Sequence, residues 1–203
     1  MGVVAMFPLG SVLYPGVGLP LRIFEPRYVQ MLRECLAGDG EFGSVLIERG
    51  SEVGGGDKRF PMGTMARILD SSQQVDGTWL VLAVGIRRLK VVGWLPDDPY
   101  PQADCDEAPD PDEPNASAVE STISQLRRVL AMSAEANRPT APATIEFSDD
   151  PALALWQACA VAPVSSLDAY RLLAVPSASE RITLLRAMLE DEALVVAHRL
   201  SGN

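Results

Sequence analysis

The stretch of sequence that decides the fold is FPLGSVLYPGVGLPLRIFEPRYVQMLRECL, residues 7–36. At its centre stands Pro15-Gly16, a pair typical of a type II turn, because proline presets φ at the second turn position and glycine supplies the positive φ at the third. Residues 19–24 then alternate between apolar and other side chains, which predicts a strand with one apolar face. Pro20 has no amide hydrogen to donate, so we expect this strand at the edge of its sheet.

A helix is predicted directly after this strand, opened by Glu25-Pro26. Pro26 suits the first turn, where its missing N–H would have no partner. We expect Glu25 to fix the corner between strand and helix by accepting hydrogen bonds from backbone amides or from an arginine. The apolar residues that follow recur at helical spacing and form one face: Tyr28, Met31, Leu32, Cys35 and Leu36.

The composition is that of a globular protein. The chain has 203 residues, of which 47% are hydrophobic and 22% charged, so it has enough apolar material for a core. Its formal net charge of -10 argues against a sequence-independent phosphate binder, which needs a basic face. The glycines and prolines of residues 1–21 argue against a membrane helix in that uncharged segment.

Three widely spaced cysteines, Cys35, Cys105 and Cys159, form no CxxC pair, and the chain has a single histidine. An odd set of this kind is typical of free thiols in a reducing compartment, so we predict a cytoplasmic protein. The same scarcity of ligands argues against a zinc site. We expect no metal and no cofactor.

The chain divides into a strand-rich part and a helical part. Up to about Asp106 it consists of short apolar segments between glycine and proline punctuation, and from Ala116 onward it is helical in pattern, which predicts the α+β class. An acidic, proline-rich stretch between them is too charged to fold alone and predicts a solvated hinge. The predicted domains are 1–108 (β-rich), 109–116 (hinge) and 117–203 (helical).

Further strands are predicted from short apolar runs. Residues 79–84, WLVLAV, are apolar on both faces, as expected of a buried central strand. In the run 62–70, Met65 and Ile68 cannot share one face without a bulge. The remaining predicted elements are strands at 43–47 and 86–94 and a polar glycine-rich loop at 50–58.

Helix starts in the second half carry recognisable caps. Ser117 with Glu120, and Ser177 with Glu180, match the capping box, and Asp150 precedes a proline at the first helical position. The predicted helices are about 117–136, 151–161, 166–174 and 178–200.

The succession of motifs in residues 7–36 resembles the start of the Lon protease N-terminal domain family, also called the LON substrate-binding domain. Similar family motifs recur later, at Gly85-Ile86-Arg87-Arg88-Leu89 and at Arg181-Ile182. The resemblance implies a β-rich, PUA-like pseudo-barrel with one helix, followed by a C-terminal helical bundle. The matching words in the opening stretch are Phe7-Pro8-Leu9, Val12-Leu13-Tyr14-Pro15-Gly16, Leu19-Pro20-Leu21, Ile23-Phe24-Glu25, Arg27-Tyr28 and Met31-Leu32.

Lon proteases join this domain to an ATPase module and a serine–lysine protease module, and we expect neither here. A phosphate loop needs a Gly-Lys pair, but the only lysines are Lys58 and Lys90, each after another residue type. We expect no serine–lysine dyad, no catalytic residue and no enzyme activity. His198 is predicted to be a surface imidazole, and the GxGxxG match at residues 38–43 to be a turn, because a helix precedes it.

The resemblance also implies recognition of polypeptide segments. Candidate contacts are Arg22, Phe24, Arg27, Tyr28, Trp79, Arg87 and Arg88, whereas Pro15, Gly16, Glu25, Pro26 and Gly85 are assigned structural roles. For each contact a plain packing role stays open. Phe24, Tyr28 and Trp79 then belong to the core, and the arginines line a solvent face or pair with carboxylates.

We therefore predict a non-catalytic polypeptide-binding module. Its expected partners are unfolded or extended polypeptide segments, with a protease or chaperone as a further candidate, and neither nucleic acid nor a membrane. The alternative is a small-molecule or RNA-binding PUA-like module. An RNA role predicts a basic face, built from Arg67, Arg87, Arg88 and Lys90.

Overall fold

The computed structural model describes residues 2–49 and 58–201 and confirms the α+β class. The chain forms two compact units, residues 1–109 and residues 110–203. The glycine-rich loop predicted at 50–58 lies outside the described residues, except for Lys58. The elements of the first unit are β1 (Gly2–Leu9), β2 (Gly18–Ile23), α1 (Pro26–Ala37), β3 (Glu41–Arg49), β4 (Lys58–Gln73), β5 (Trp79–Trp94) and β6 (Gln102–Glu107).

The six strands form one sheet in the order β2-β5-β4-β3-β1-β6, and an additional pairing of β5 with β6 closes it into a barrel. The first half of β5 pairs with β2 and the second half with β6, so β2 lies outside the closed ring. This confirms the edge position predicted from Pro20. The register of β4 on β5 shifts between Met65 and Ala66 and again between Ile68 and Asp70, but these shifts do not bring Met65 and Ile68 onto one face: Met65 packs in one core cluster and Ile68 against another.

The turn at the centre of the opening stretch has the predicted type II geometry. Gly16 has φ of 73°, and the amide of Val17 donates to the carbonyl of Tyr14 at 3.2 Å. This turn crosses β5 at Gly85, whose carbonyl accepts from the amide of Gly16 at 2.7 Å. A Cβ at Gly85 would overlap the backbone oxygen of Tyr14, so the crossing needs glycine there.

Helix α1 packs its apolar face on the core of the β-rich unit. Tyr28 stacks on Phe7 with 4.3 Å between ring centroids, and the ring of Phe42 lies 6.2 Å from that of Phe7. Leu36, predicted on the same face, is exposed, because it lies at the margin of that face, about 100° around the helix from the buried Cys35. At the corner before α1, Nε of Arg27 donates to Oε2 of Glu25 at 3.1 Å, whereas the Glu25 side chain caps no backbone amide of the helix. Its role in fixing the corner stays a prediction.

The second unit contains α2 (Ala116–Glu135), α3 (Pro151–Val161), α4 (Ser166–Ala174) and α5 (Ala178–Ser201). Asp150 caps α3 and Ser177 caps α5, as predicted. The predicted cap of α2 is wrong: Asn115 accepts from the amide of Ala118 at 3.0 Å, and Ser117 donates its hydroxyl to the same amide oxygen of Asn115.

Arg181 is the polar centre of the helical unit and is wholly buried. Its guanidinium donates to both carboxylate oxygens of Asp110, at 2.7 and 3.0 Å, and to the carbonyl of Leu172 at 2.9 Å. Asp112 accepts from the amide of Ala178 at the start of α5. Asp110 and Asp112, from the segment predicted to be a hinge, are thus bonded within the helical unit, and the hinge role of 109–116 stays a prediction.

Across residues 2–49 and 58–201, none of the helices combines the length and the apolar character that a membrane span requires.

Candidate functional site

The main candidate site is a groove beside β2 that encloses about 300 Å³. One wall is β2 with the corner that follows it, and the other comes from the end of β1 and the loop after it. Tyr28, from the first turn of α1, closes the floor. We call this the β2 groove. Its lining is Phe7, Leu9, Ser11, Leu19, Pro20, Leu21, Arg22, Ile23, Phe24, Glu25 and Tyr28.

The aromatic residues of the β2 groove have different surroundings. Phe24 is 59% exposed at the end of β2, whereas Tyr28 is 3% exposed and stacks on Phe7. The guanidinium of Arg27 lies over the ring of Tyr28, 4.5 Å from its centroid. Packing within the fold therefore does not account for the aromatic side chain of Phe24. Tyr28 belongs to the core and also forms the floor of the β2 groove.

The charged groups near the β2 groove differ in accessibility: Arg22 and Asp76 are paired and exposed, whereas Arg27 is largely shielded. Nη2 of Arg22 lies 3.6 Å from a carboxylate oxygen of Asp76, and both side chains are mostly exposed. Hydrogen bonds from Thr78 and the nearby charge of Arg22 hold the pKa of Asp76 below its usual value. Within the described residues, Nη2 of Arg27 has no hydrogen-bond partner although it is shielded from solvent.

Trp79, Arg87 and Arg88 do not line the β2 groove. Trp79 stands opposite Ile23 at the end of the β2–β5 pairing and packs against the core. Arg87 pairs with Glu41 at 2.8 Å and with Glu107 at 3.1 Å. Arg88 is 5% exposed, so neither a ligand nor solvent reaches most of its side chain.

The four cations proposed for an RNA-binding face do not form one. Arg67 pairs with Glu41 at 2.6 Å, and the same carboxylate also binds Arg87. Arg88 is buried, which leaves Lys90 as the exposed member of the set outside these ion pairs. Paired or buried cations contribute little to the attraction of a phosphate backbone.

A second groove lies on the other side of β2, over the outer face of the sheet, and encloses about 400 Å³. Leu80 and Leu82 of β5 line it, and each is 45% exposed. The prediction that 79–84 is buried on both faces is therefore wrong on this face. We call this the outer groove. Its lining is Pro20, Leu21, Arg22, Asp70, Ser72, Leu80, Val81 and Leu82.

Sequence reasoning missed the outer groove because an apolar run alone does not reveal whether another layer covers it. The missed signal was in the neighbouring strands. Asp70 and Ser72 on β4 stand opposite Leu82 and Leu80, and polar residues beside them indicate a face turned to water.

The lysines, the histidine and the GxGxxG segment occupy surface or structural positions. Lys58 is exposed and donates from Nζ to Glu48 at 3.1 Å, and Lys90 and His198 are exposed. The GxGxxG match runs from the end of α1 through a turn into β3, with φ of 74° at Gly40, as predicted. In the described ranges, no three His, Cys, Asp or Glu side chains are grouped to hold a metal ion.

The three cysteines are unpaired and buried. Burial raises the pKa of Cys35 and of Cys105 to about 11, and that of Cys159 to about 12. A thiol with a raised pKa is a poor nucleophile at neutral pH. The cysteines therefore act as apolar core residues.

A comparison with protein-family models matches residues 3–191 to the ATP-dependent protease La (LON) substrate-binding domain. Lon protease of Escherichia coli (strain K12) is 26% identical over 194 residues, which cover 93% of this chain and 25% of that protein. Lon protease of Cytophaga hutchinsonii is 32% identical over 93 residues, 45% of this chain and 11% of the relative. The chain thus spans about a quarter of the length of the E. coli protein.

Two solved structures have the same fold. The Lon N-terminal domain protein from Xanthomonas campestris has a TM-score of 0.70 and 26% identity, with 92% of this chain and 98% of that chain covered. The N terminal domain of Mycobacterium avium complex Lon protease has a TM-score of 0.62 at 16% identity, with 93% and 98% covered, and shows the fold alone. Since the family match extends over residues 3–191, the chain belongs to the family of ATP-dependent protease La (LON) substrate-binding domains.

Proposed function

We propose that the chain binds unfolded or extended polypeptide segments in the β2 groove and does not cleave them. The observation that carries the proposal is the placement of Phe24, an exposed aromatic side chain at the end of an edge strand, beside a groove with an aromatic floor. Membership in a substrate-binding family supports the same conclusion.

The volume of the β2 groove suits individual side chains of a polypeptide better than a complete small molecule. A volume of about 300 Å³ lies at the lower limit for small-molecule sites and accommodates one or two large apolar side chains. Burying one such side chain contributes about 1.5–3 kcal/mol. Several weak contacts of this kind suit a module that samples many unfolded chains.

The non-catalytic part of the proposal rests on the surroundings of the lysines. A serine–lysine dyad requires a buried lysine with a lowered pKa next to a hydroxyl. Lys58 instead lies exposed against the carboxylate of Glu48.

We propose that a cytoplasmic protease or chaperone is a further partner, to which this module delivers bound polypeptide.

The test is the affinity for fluorescein-labelled casein, an unfolded protein, measured by fluorescence anisotropy. Phe24→Ala is expected to weaken binding about tenfold, because it removes one large apolar contact. The matched control is Val92→Ala, since Val92 is 60% exposed and lies outside both grooves. Equal affinities of the two variants would contradict the proposal.

The same experiment separates the nucleic-acid alternative. Polypeptide binding through apolar contacts is expected to change little between 50 and 200 mM salt, whereas RNA binding falls steeply over this range. A labelled single-stranded RNA that binds more tightly than casein and loses affinity with salt would overturn the proposed function.

A further inference from the structure

The hydrogen bonds of β5 determine which backbone groups of β2 face outward. The amide of Gly85 donates to the carbonyl of Val17 at 3.0 Å. These two residues stand opposite each other in the register that continues from Gly18↔Val84 to Ile23↔Trp79. Because bonding direction alternates along a strand, the odd-numbered residues of β2 bond to β5. The backbone groups left facing the open edge are those of Gly18, Pro20 and Arg22.

The hairpin on the other side of β5 gives the same assignment independently. The amide of Gln74 donates to the carbonyl of Thr78 at 2.7 Å. In the register of this hairpin, the backbone N–H and C=O groups of Leu80 and Leu82 bond to β4. The residues of β5 between them are therefore the ones that bond to β2.

The open edge has a groove on each side. Pro20, Leu21 and Arg22 line both the β2 groove and the outer groove. Within residues 2–49 and 58–201, β2 pairs with β5 alone. A chain laid along this edge would direct successive side chains alternately into the two grooves, because side chains alternate across a strand.

We propose that β2 accepts an extended, apolar polypeptide segment as an additional strand, with alternate side chains in the β2 groove and the outer groove. This inference rests on the proposed function and specifies its binding mode. The edge offers the carbonyls of Gly18, Pro20 and Arg22 and the amides of Gly18 and Arg22, and an extended backbone supplies the complementary groups. A segment with apolar side chains fits best, since each groove presents exposed apolar side chains: Phe24 at the β2 groove, and Leu80 and Leu82 in the outer groove.

Pro20 explains why the occupant is a peptide rather than a second copy of the chain. A symmetric antiparallel pairing of two β2 strands over Gly18–Arg22 would place two Pro20 residues opposite each other, so that neither supplies a donor at the centre. Proline on an exposed edge is a common protection against such pairing. When a peptide pairs with β2, only one hydrogen bond is missing, the one that an amide of Pro20 would donate.

Proline substitutions at outward positions test this mode directly. Arg22→Pro removes an outward amide and keeps the bonds to β5, as Pro20 already does, and Arg22→Ala is the matched control that keeps the amide. Arg22→Pro is expected to bind labelled casein about threefold to tenfold more weakly than Arg22→Ala. Pro20→Val restores a donor and is expected to bind more tightly than wild type by a similar factor.

Each outcome decides the inference. Strand addition would be overturned if Arg22→Pro bound casein as tightly as Arg22→Ala and Pro20→Val bound it as tightly as the wild type. If Phe24→Ala still bound more weakly than the wild type, the proposed function would remain intact. No binding of casein by the wild type would overturn both. If circular dichroism shows Arg22→Pro unfolded, Pro20→Val carries the test. A wild-type dimer in light scattering that Arg22→Pro dissociates would assign the edge to a second copy instead.

Discussion

The β-rich unit and the helical unit differ in how they satisfy their polar groups. In the helical unit, Arg181 is wholly buried and bonds to Asp110 and to the carbonyl of Leu172, with its guanidinium 3.6 Å from the centroid of Trp156. In the β-rich unit, β2 pairs on one edge only within the described residues, and Phe24 extends into solvent beside it. The buried charge of Arg181 is therefore structural, and a ligand is expected along β2, where the backbone hydrogen bonding is incomplete.

Removing the charge of Arg181 is expected to have the largest effect on stability. Arg181→Met leaves Asp110 without its cation and the carbonyl of Leu172 without a donor, so we expect the free energy of unfolding to fall by about 3–5 kcal/mol. Urea denaturation followed by circular dichroism at 222 nm measures the loss. In the absence of urea, where the variant is still folded, its affinity for casein is expected to equal that of the wild type.

The control for this variant is Arg171→Met. Arg171 pairs with Asp168 at 3.0 Å on the surface of α4, and an exposed pair of this kind contributes about 1 kcal/mol or less. If both methionine variants lose the same stability, Arg181 does not have the structural role described here.

The second prediction concerns the crossing of the type II turn over β5 at Gly85. Gly85→Ala places a Cβ against the backbone oxygen of Tyr14, which is unable to move without opening the type II turn. We expect a loss of about 1–3 kcal/mol in the free energy of unfolding. Gly93→Ala, in the same strand with open space around its Cβ, is the control and is expected to be nearly neutral. Equal losses would show that the crossing tolerates a side chain.

The smallest expected effect distinguishes two caps of α2. Asn115→Ala removes the acceptor for the amide of Ala118 and is expected to lower the free energy of unfolding by about 1 kcal/mol. Ser117→Ala removes only a hydroxyl that donates to Asn115, and a few tenths of a kcal/mol are expected. Thermal unfolding measures both losses. A larger loss for Ser117→Ala than for Asn115→Ala would show that Ser117, and not Asn115, caps the helix.

Features that depend on neighbouring residues were predictable from the sequence. The type II turn at Pro15-Gly16, the corner at Glu25-Pro26 and the Asp150 cap each follow from a few adjacent residues, and the structure contains all three. The edge position of β2 followed from the single missing amide of Pro20.

Features that depend on distant partners were not predictable. Arg181 and Asp110 are 71 residues apart, and no local pattern joins them. The exposure of Leu80 and Leu82 depends on whether another layer covers the sheet, which an apolar run does not state. Arg87 and Arg88 differ for the same reason: the fold turns one toward Glu41 and buries the other.

Polypeptide binding along β2 is tested by mapping the amide chemical-shift changes that follow the addition of casein to ¹⁵N-labelled protein. Binding along β2 predicts that the largest changes fall on residues 18–28 and on Leu80 to Leu82, at the two grooves beside this strand. Changes concentrated instead on the groove between α4 and α5, lined by Tyr170, Val175 and Leu184, would contradict it.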